Sequence, residues 1–232
     1  MATTTDTPPT GHRPATRRRR WWQRPWVVPL ALVALVFLAF SVPPYAALDP
    51  ELSRIRPPES FPLYYPALVG HVMFASVAMV TCCLQVWPWF RQRFPVAHRR
   101  IGRVYVFGGA LPAGVCALVI AVAAPFGPVA AASNVVLATL WLTCTVTGFR
   151  MARQRRFADH KRWMIRSFAL TFSIVTNRVW GVVLAIAFGM TPDQFADPAT
   201  AQTLAGLTTW LGWTLPLLVA EWWLVERRPR RR

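Results

Sequence analysis

Six apolar stretches follow one another along this chain, and almost all of its cations lie between them. The stretches run over Trp26–Val42, Pro66–Trp87, Ile101–Ala124, Val129–Phe149, Trp163–Gly189 and Thr203–Val225. A helix that crosses a bilayer needs about 20 predominantly apolar residues, so each is a candidate span. The remaining composition agrees: 54% of residues are hydrophobic and only 15% charged, where a water-soluble domain carries about a quarter. The net charge of +17, taken alone, points elsewhere, towards a nucleic-acid binder.

The placement of the charge decides between the two. Of 26 Lys and Arg residues, 21 fall in four places: before the first stretch, between the second and third, between the fourth and fifth, and after the sixth. The opposite set of loops holds only Arg54 and Arg56, beside Asp49, Glu51, Glu59, Asp193 and Asp197. Clustered Lys and Arg stay on the cytoplasmic side of a membrane. The expectation is therefore an all-α, multi-pass protein of a bacterial cytoplasmic membrane. It has six helices and both termini inside, and loops 43–65 and 190–202 face out. Its partners are the lipid bilayer and anionic lipid headgroups, which the Arg runs suit, and not nucleic acid.

The membrane domain is expected over 25–226, between a basic, disordered tail at 1–24 and a second basic tail at 227–232. The first tail is rich in Thr, Pro and Arg and has too little apolar surface to fold. A signal peptide ending near Ala46–Ala47 is the alternative. About 25 polar residues precede the apolar run and Pro43–Pro44 crowd the site, so an uncleaved anchor is favoured. Trp21, Trp22 and Trp26 suit an interfacial aromatic belt. Cys82, Cys83, Cys116 and Cys144 all fall within spans without a CxxC pair, as small packing residues do.

At an offset of 62 residues the chain matches itself. Thr81-Cys82 aligns with Thr143-Cys144, Arg91-Gln92-Arg93 with Arg153-Gln154-Arg155, and His98 with His160. Spans two to five then read as two copies of a helical hairpin with an Arg-rich turn. Arg-rich turns also match by chance in so Arg-biased a chain, which is the competing account.

Small and polar residues mark the faces along which membrane helices pack. Stepping alternately by three and four residues places His71, Ala75, Ala78, Cys82 and Gln85 on one line. His98, Gly102, Tyr105, Gly109, Pro112 and Cys116 make a second, and Asn134, Ala138, Trp141, Thr145 and Gly148 a third. The fifth helix aligns His160, Met164, Ser167, Thr171, Ile174 and Arg178. Spans two to five should form the bundle with these lines inward, the first and sixth flanking it, and Pro112 and Pro216 kinking their helices. Two polar layers result. His98, His160, Arg103, Arg166, Asp159 and Glu221 lie towards the cytoplasmic end, and His71, Asn134 and Arg178 lie deeper. An arginine inside a span costs about 2.5–3.5 kcal/mol on insertion scales, so Arg178 is expected to turn inward to a partner, with snorkelling to the outer headgroups as the alternative.

These residues resemble a family of predicted bacterial membrane proteins grouped as a domain of unknown function. The resemblance rests on Gly70-His71, on His98-Arg99-Arg100-Ile101-Gly102-Arg103-Val104-Tyr105, on His160-Lys161-Arg162-Trp163-Met164-Ile165-Arg166-Ser167 and on Arg178. It spans about residues 66–185 and implies a class of membrane protein without an activity. A fainter similarity, in helix count and inward histidines, is to diheme b-type membrane cytochromes.

Three functions fit the sequence. In the first, His98 and His160 ligate a haem b, with Arg103 or Arg166 near its propionates, in an electron-transfer module. In the second, Arg178 with His71 and Asn134 binds a small anion for transport or sensing. In the third, the polar faces only hold helices together. No metal cluster is expected. No GxSxG, HExxH, Walker or dinucleotide motif is present, and whether the chain is an enzyme stays open.

Overall fold

The computed structural model describes residues 26–123 and 125–226. The two basic tails lie outside the described residues, and with them the expected disorder. Among the described residues all regular structure is helical.

Helix α1 (Val27–Ser41) is followed by a single turn, α2 (Pro43–Ala46). After an irregular stretch come α3 (Tyr64–Val86) and α4 (Pro88–Arg93). Helix α5 (Pro95–Arg103) runs through a π-helical stretch, Val104–Ala110, into α6 (Leu111–Val122) as one rod. The wide turns end just before Pro112. A proline ring crowds the carbonyl four residues back, and a π stretch gives that carbonyl room. Helices α7 (Gly127–Arg153), α8 (Phe157–Thr171), α9 (Ser173–Ala187), α10 (Pro192–Ala196) and α11 (Pro198–Glu226) complete the chain.

Four of these helices are long and apolar enough to cross a membrane: α3, the α5–α6 rod, α7 and α11. The expected fifth span is α8 and α9 with a bend of 43° between them, and it adds one crossing if the two halves are taken together. The expected first span is shorter than the sequence suggested. Helix α1 has 15 residues, about 22 Å at 1.5 Å per residue, against a hydrocarbon core of about 30 Å.

The exterior is apolar, and several polar residues lie buried within the core. Ser133, Thr145 and Ser167 are fully buried at 0% exposure, while Ile186 is 75% exposed and Leu218, Val219 and Val182 lie outward with it. In water this arrangement would cost free energy at every exposed side chain. In lipid it leaves apolar groups in an apolar solvent and pairs the polar ones internally.

The core follows from close helix approach. Helix α3 packs on the π stretch and α6, α6 on α7, α7 on α8, and α8 touches α3, closing a four-membered ring. A Cβ on Gly109 would stand 2.8 Å from the Ala78 backbone nitrogen, so only glycine permits this crossing. Ala78, Cys82, Tyr105, Ala110, Ala113, Trp141 and Cys144 fill the centre. A second cluster of Tyr45, Tyr64 and Leu68 joins the first loop to the start of α3.

The last helix lies outside this ring and packs closely against it. Helix α11 packs along α7, α8 and α9, with Gly206, Gly212 and Trp213 buried. Gly212 lies so close to α9 that a Cβ there would meet Asn177 Cβ at 2.8 Å, and the Thr176 hydroxyl donates to the Gly212 carbonyl. Trp213 Nε1 donates to Ser133 Oγ at 2.9 Å, tying α11 to α7. Helix α1 is a flank: it rests on α3 and buries only Val27 and Ala34.

Candidate functional site

Two histidines, one on α3 and one on α8, hold a neighbouring helix in the same way. His71 Nδ1 donates to the Ala113 carbonyl on α6 at 2.9 Å, and His160 Nδ1 donates to the Gly148 carbonyl on α7 at 2.8 Å. A carbonyl only accepts, so Nδ1 carries the proton in each ring and Nε2 keeps its lone pair when the ring is neutral. Each bond also fixes the orientation of its imidazole.

His98 differs. Its backbone carbonyl accepts from Gln85 Nε2 at 3.0 Å, but its Nδ1 is buried without a hydrogen-bond partner. Such an atom is uncommon, because an unpaired buried polar group costs about 1–3 kcal/mol. His98 lies within electrostatic reach of His160, Arg91 and Arg99. The α5–α6 rod and α8 sit diagonally in the four-membered ring, so the two histidines belong to opposite corners of the bundle.

Just beyond this pair, the diagonal is bridged by hydroxyls. Tyr105 Oη meets Ser167 Oγ at 2.5 Å and Thr171 Oγ1 at 2.9 Å. Thr145 Oγ1 lies 2.7 Å from Ser167 Oγ, and Trp141 Nε1 donates to Thr171 Oγ1 at 3.0 Å. Five side chains from the rod, α7 and α8 thus satisfy one another in a dry interior. The helical lines in the sequence put each of them inward. Their convergence on one network is not legible there, because stepping along single helices gives faces and not the rotation of one helix against another.

Arg166 and Glu221 form a two-pronged ion pair between α8 and α11. Nη2 lies 2.9 Å from Oε2, and Nε donates to Oε1. The Arg166 guanidinium also stands 4.7 Å from the Trp163 ring centre. Arg166 is therefore committed to a carboxylate, whereas Arg103 is exposed. Asp159, expected beside His160, instead pairs with Arg156 at 2.7 Å and reaches Arg162 at 3.8 Å.

In the deeper layer no hydrogen bond joins His71, Asn134 and Arg178 among the described residues. Arg178 is exposed and its electrostatic neighbours are Tyr45 and Arg54. Asn134 is half-buried on α7, and His71 is occupied by Ala113. The line from His160 through Ser167 to Thr171 is inward, but beyond the 43° bend that follows Thr171 both Ile174 and Arg178 are exposed. Among the described residues no group of three or more His, Cys, Asp or Glu side chains is placed to hold a metal ion.

A buried network of side-chain hydrogen bonds inside an apolar exterior, on helices long enough to cross a membrane, defines a polytopic helical membrane protein. The chain belongs to the family described as "Predicted membrane protein (DUF2306)", whose profile matches residues 68–224. This bears out the resemblance read from the His and Arg runs, and the matched segment contains every residue of the constellation from His71 to Glu221. Comparisons with curated proteins and with solved structures gave no match.

Proposed function

We propose that the chain is a six-span protein of the cytoplasmic membrane, built from two related hairpins, and that the His98–His160 pair binds a haem b in an electron-transfer module. The observation that carries the reading is His160, its Nδ1 committed to Gly148, within electrostatic reach of His98 across the ring. The buried Nδ1 of His98 has no such acceptor, which leaves that imidazole without an internal partner for it. A carbonyl that accepts from Nδ1, as Gly148 does, orients a ligating histidine and leaves Nε2 for the metal. The donor type suits the group, since two neutral imidazoles from separate helices are a common axial set for b-type haem. When bound, the haem supplies reversible one-electron chemistry at iron. Of the two arginines considered for the propionates, Arg103 retains that role, and Arg166 is taken up by Glu221.

The contact between Tyr105 and Ser167, residues 62 apart in the chain, supports the hairpin duplication. Positions equivalent under a two-fold relation can touch only where both lie close to its axis. The anion reading centred on Arg178 finds no comparable support, because Arg178 is exposed and shares no hydrogen bond with His71 or Asn134 among the described residues. Protein purified from cells supplied with haem should show a Soret band that shifts on reduction by dithionite, and His98→Ala or His160→Ala should abolish it. A colourless wild-type protein would leave the pair as a helix contact only.

A further inference from the structure

The end of the bundle that carries the Arg-rich turns has a cleft with a chemistry unlike that of the interior. It lies where α4 meets α5, has a volume of about 520 Å³, and is walled by Arg93 and Arg100 over a floor that includes Phe94, Val96 and Ile101. Phe94 and Val96 are exposed. Between Pro88 and Arg103 the chain has five arginines and no Asp or Glu. Among the described residues, ion pairs engage Arg156, Arg162 and Arg166, and neither wall of the cleft. The Arg93 guanidinium stands 5.6 Å from the Phe94 ring centre, and Phe94 packs in turn on Trp89 and Phe90. Clustered Trp and Phe next to uncompensated Arg is the pattern of a membrane–water boundary.

We infer that this cleft is a dedicated site for an anionic phospholipid, with Arg93 and Arg100 on the phosphate and an acyl chain along Phe94, Val96 and Ile101. Guanidinium groups bind phosphate oxygens through paired, charge-assisted hydrogen bonds. A small inorganic anion would use the two arginines but leave the apolar floor open. A zwitterionic lipid would use the floor but bring its own cation towards the arginines. Only an anionic lipid matches both walls and floor. The inference does not depend on what His98 and His160 bind.

Native mass spectrometry of the full-length protein tests it, in mixed micelles of phosphatidylglycerol and phosphatidylcholine. The wild type should retain phosphatidylglycerol over phosphatidylcholine. Arg93→Gln with Arg100→Gln should weaken that retention about 10- to 30-fold, the scale of two arginines at an anionic surface. Arg150→Gln with Arg153→Gln removes the same charge from exposed positions on α7 and should change it little. Equal retention of the two lipids, an equal loss in both double variants, or release of the lipid by excess inorganic phosphate would each overturn the inference. If the double variant does not fold by circular dichroism, the single variants Arg93→Gln and Arg100→Gln decide, each with a partial loss expected.

Discussion

Ser167 is the residue on which most of the interior polarity converges. Its hydroxyl meets both Tyr105 and Thr145, and its carbonyl accepts from Thr171 Oγ1 at 2.8 Å. The side chain has two acceptor sites and one donor, so its two hydroxyl contacts use it nearly to capacity. Ser167→Ala removes a partner from two buried hydroxyls at once. In a water-free interior the loss should be about 1–3 kcal/mol, read as a lower midpoint of thermal unfolding in detergent. Thr139→Ala, which removes only a hydroxyl donating to the Val135 carbonyl of its own helix on an exposed face, should cost far less.

Single residues also mark the reach of sequence reasoning. The inward lines of α7 and of the first half of α8 are legible, because Ala138, Trp141, Thr145, Gly148, Ser167 and Thr171 are all buried at the expected spacing. The partnership of Arg166 with Glu221 is legible only as shared depth, since 55 residues separate them. The fate of Arg178 is not legible. It lies beyond the break at Phe172, where neither proline nor glycine marks the position.

Among the elements, close approach of helices decides which substitutions are tolerated. Gly109 lies against the Ala78 backbone, which has no flexible end to move away. Gly109→Ala should therefore separate α3 from the rod, at a cost of about 1–3 kcal/mol from overpacking. Gly181, on α9, faces open space, with nothing within 4 Å of where a Cβ would stand. Gly181→Ala should be neutral or stabilising by up to about 1 kcal/mol, since alanine is the better helix former. Thermal midpoints of the two variants, measured side by side, check the contrast, and equal effects would mean that α3 and the rod are less tightly packed than described.

The start of α11 has its own signature in pH. Asp197 Oδ2 accepts from the Thr200 backbone N–H at 2.8 Å and from its hydroxyl at 2.7 Å. These bonds favour the charged carboxylate and hold its pKa below the ordinary aspartate value, as an N-cap does. A depressed folded-state pKa means that the cap's contribution is present above the unfolded aspartate range. It is lost as pH falls through the lower, folded value. Asp197→Ala should thus lower stability at neutral pH and converge on the wild type in strong acid. Parallel stability curves down to the lowest pH would show that the carboxylate is not the capping group.

At the scale of the whole molecule, the number of crossings turns on α1. Counting α8 and α9 as one crossing, the described helices other than α1 give five. Helix α1 makes the sixth only if its 15 residues can bridge a bilayer about 8 Å thicker than their length. Two features favour the crossing. Six arginines precede it, and carrying them through the membrane would cost far more than local thinning of the bilayer around a short helix. Its outer surface is also apolar, with Leu32, Leu35, Val36 and Phe40 exposed, as contact with lipid requires. Reporter fusions at Gln23, at Pro58 and at Arg232 separate the alternatives. Six crossings put Gln23 and Arg232 in the cytoplasm and Pro58 outside. If α1 lies along the surface, Gln23 and Pro58 report the same side, opposite Arg232. The Arg-rich tail would then lie outside, and the charge asymmetry that orders the rest of the chain would fail at its first helix.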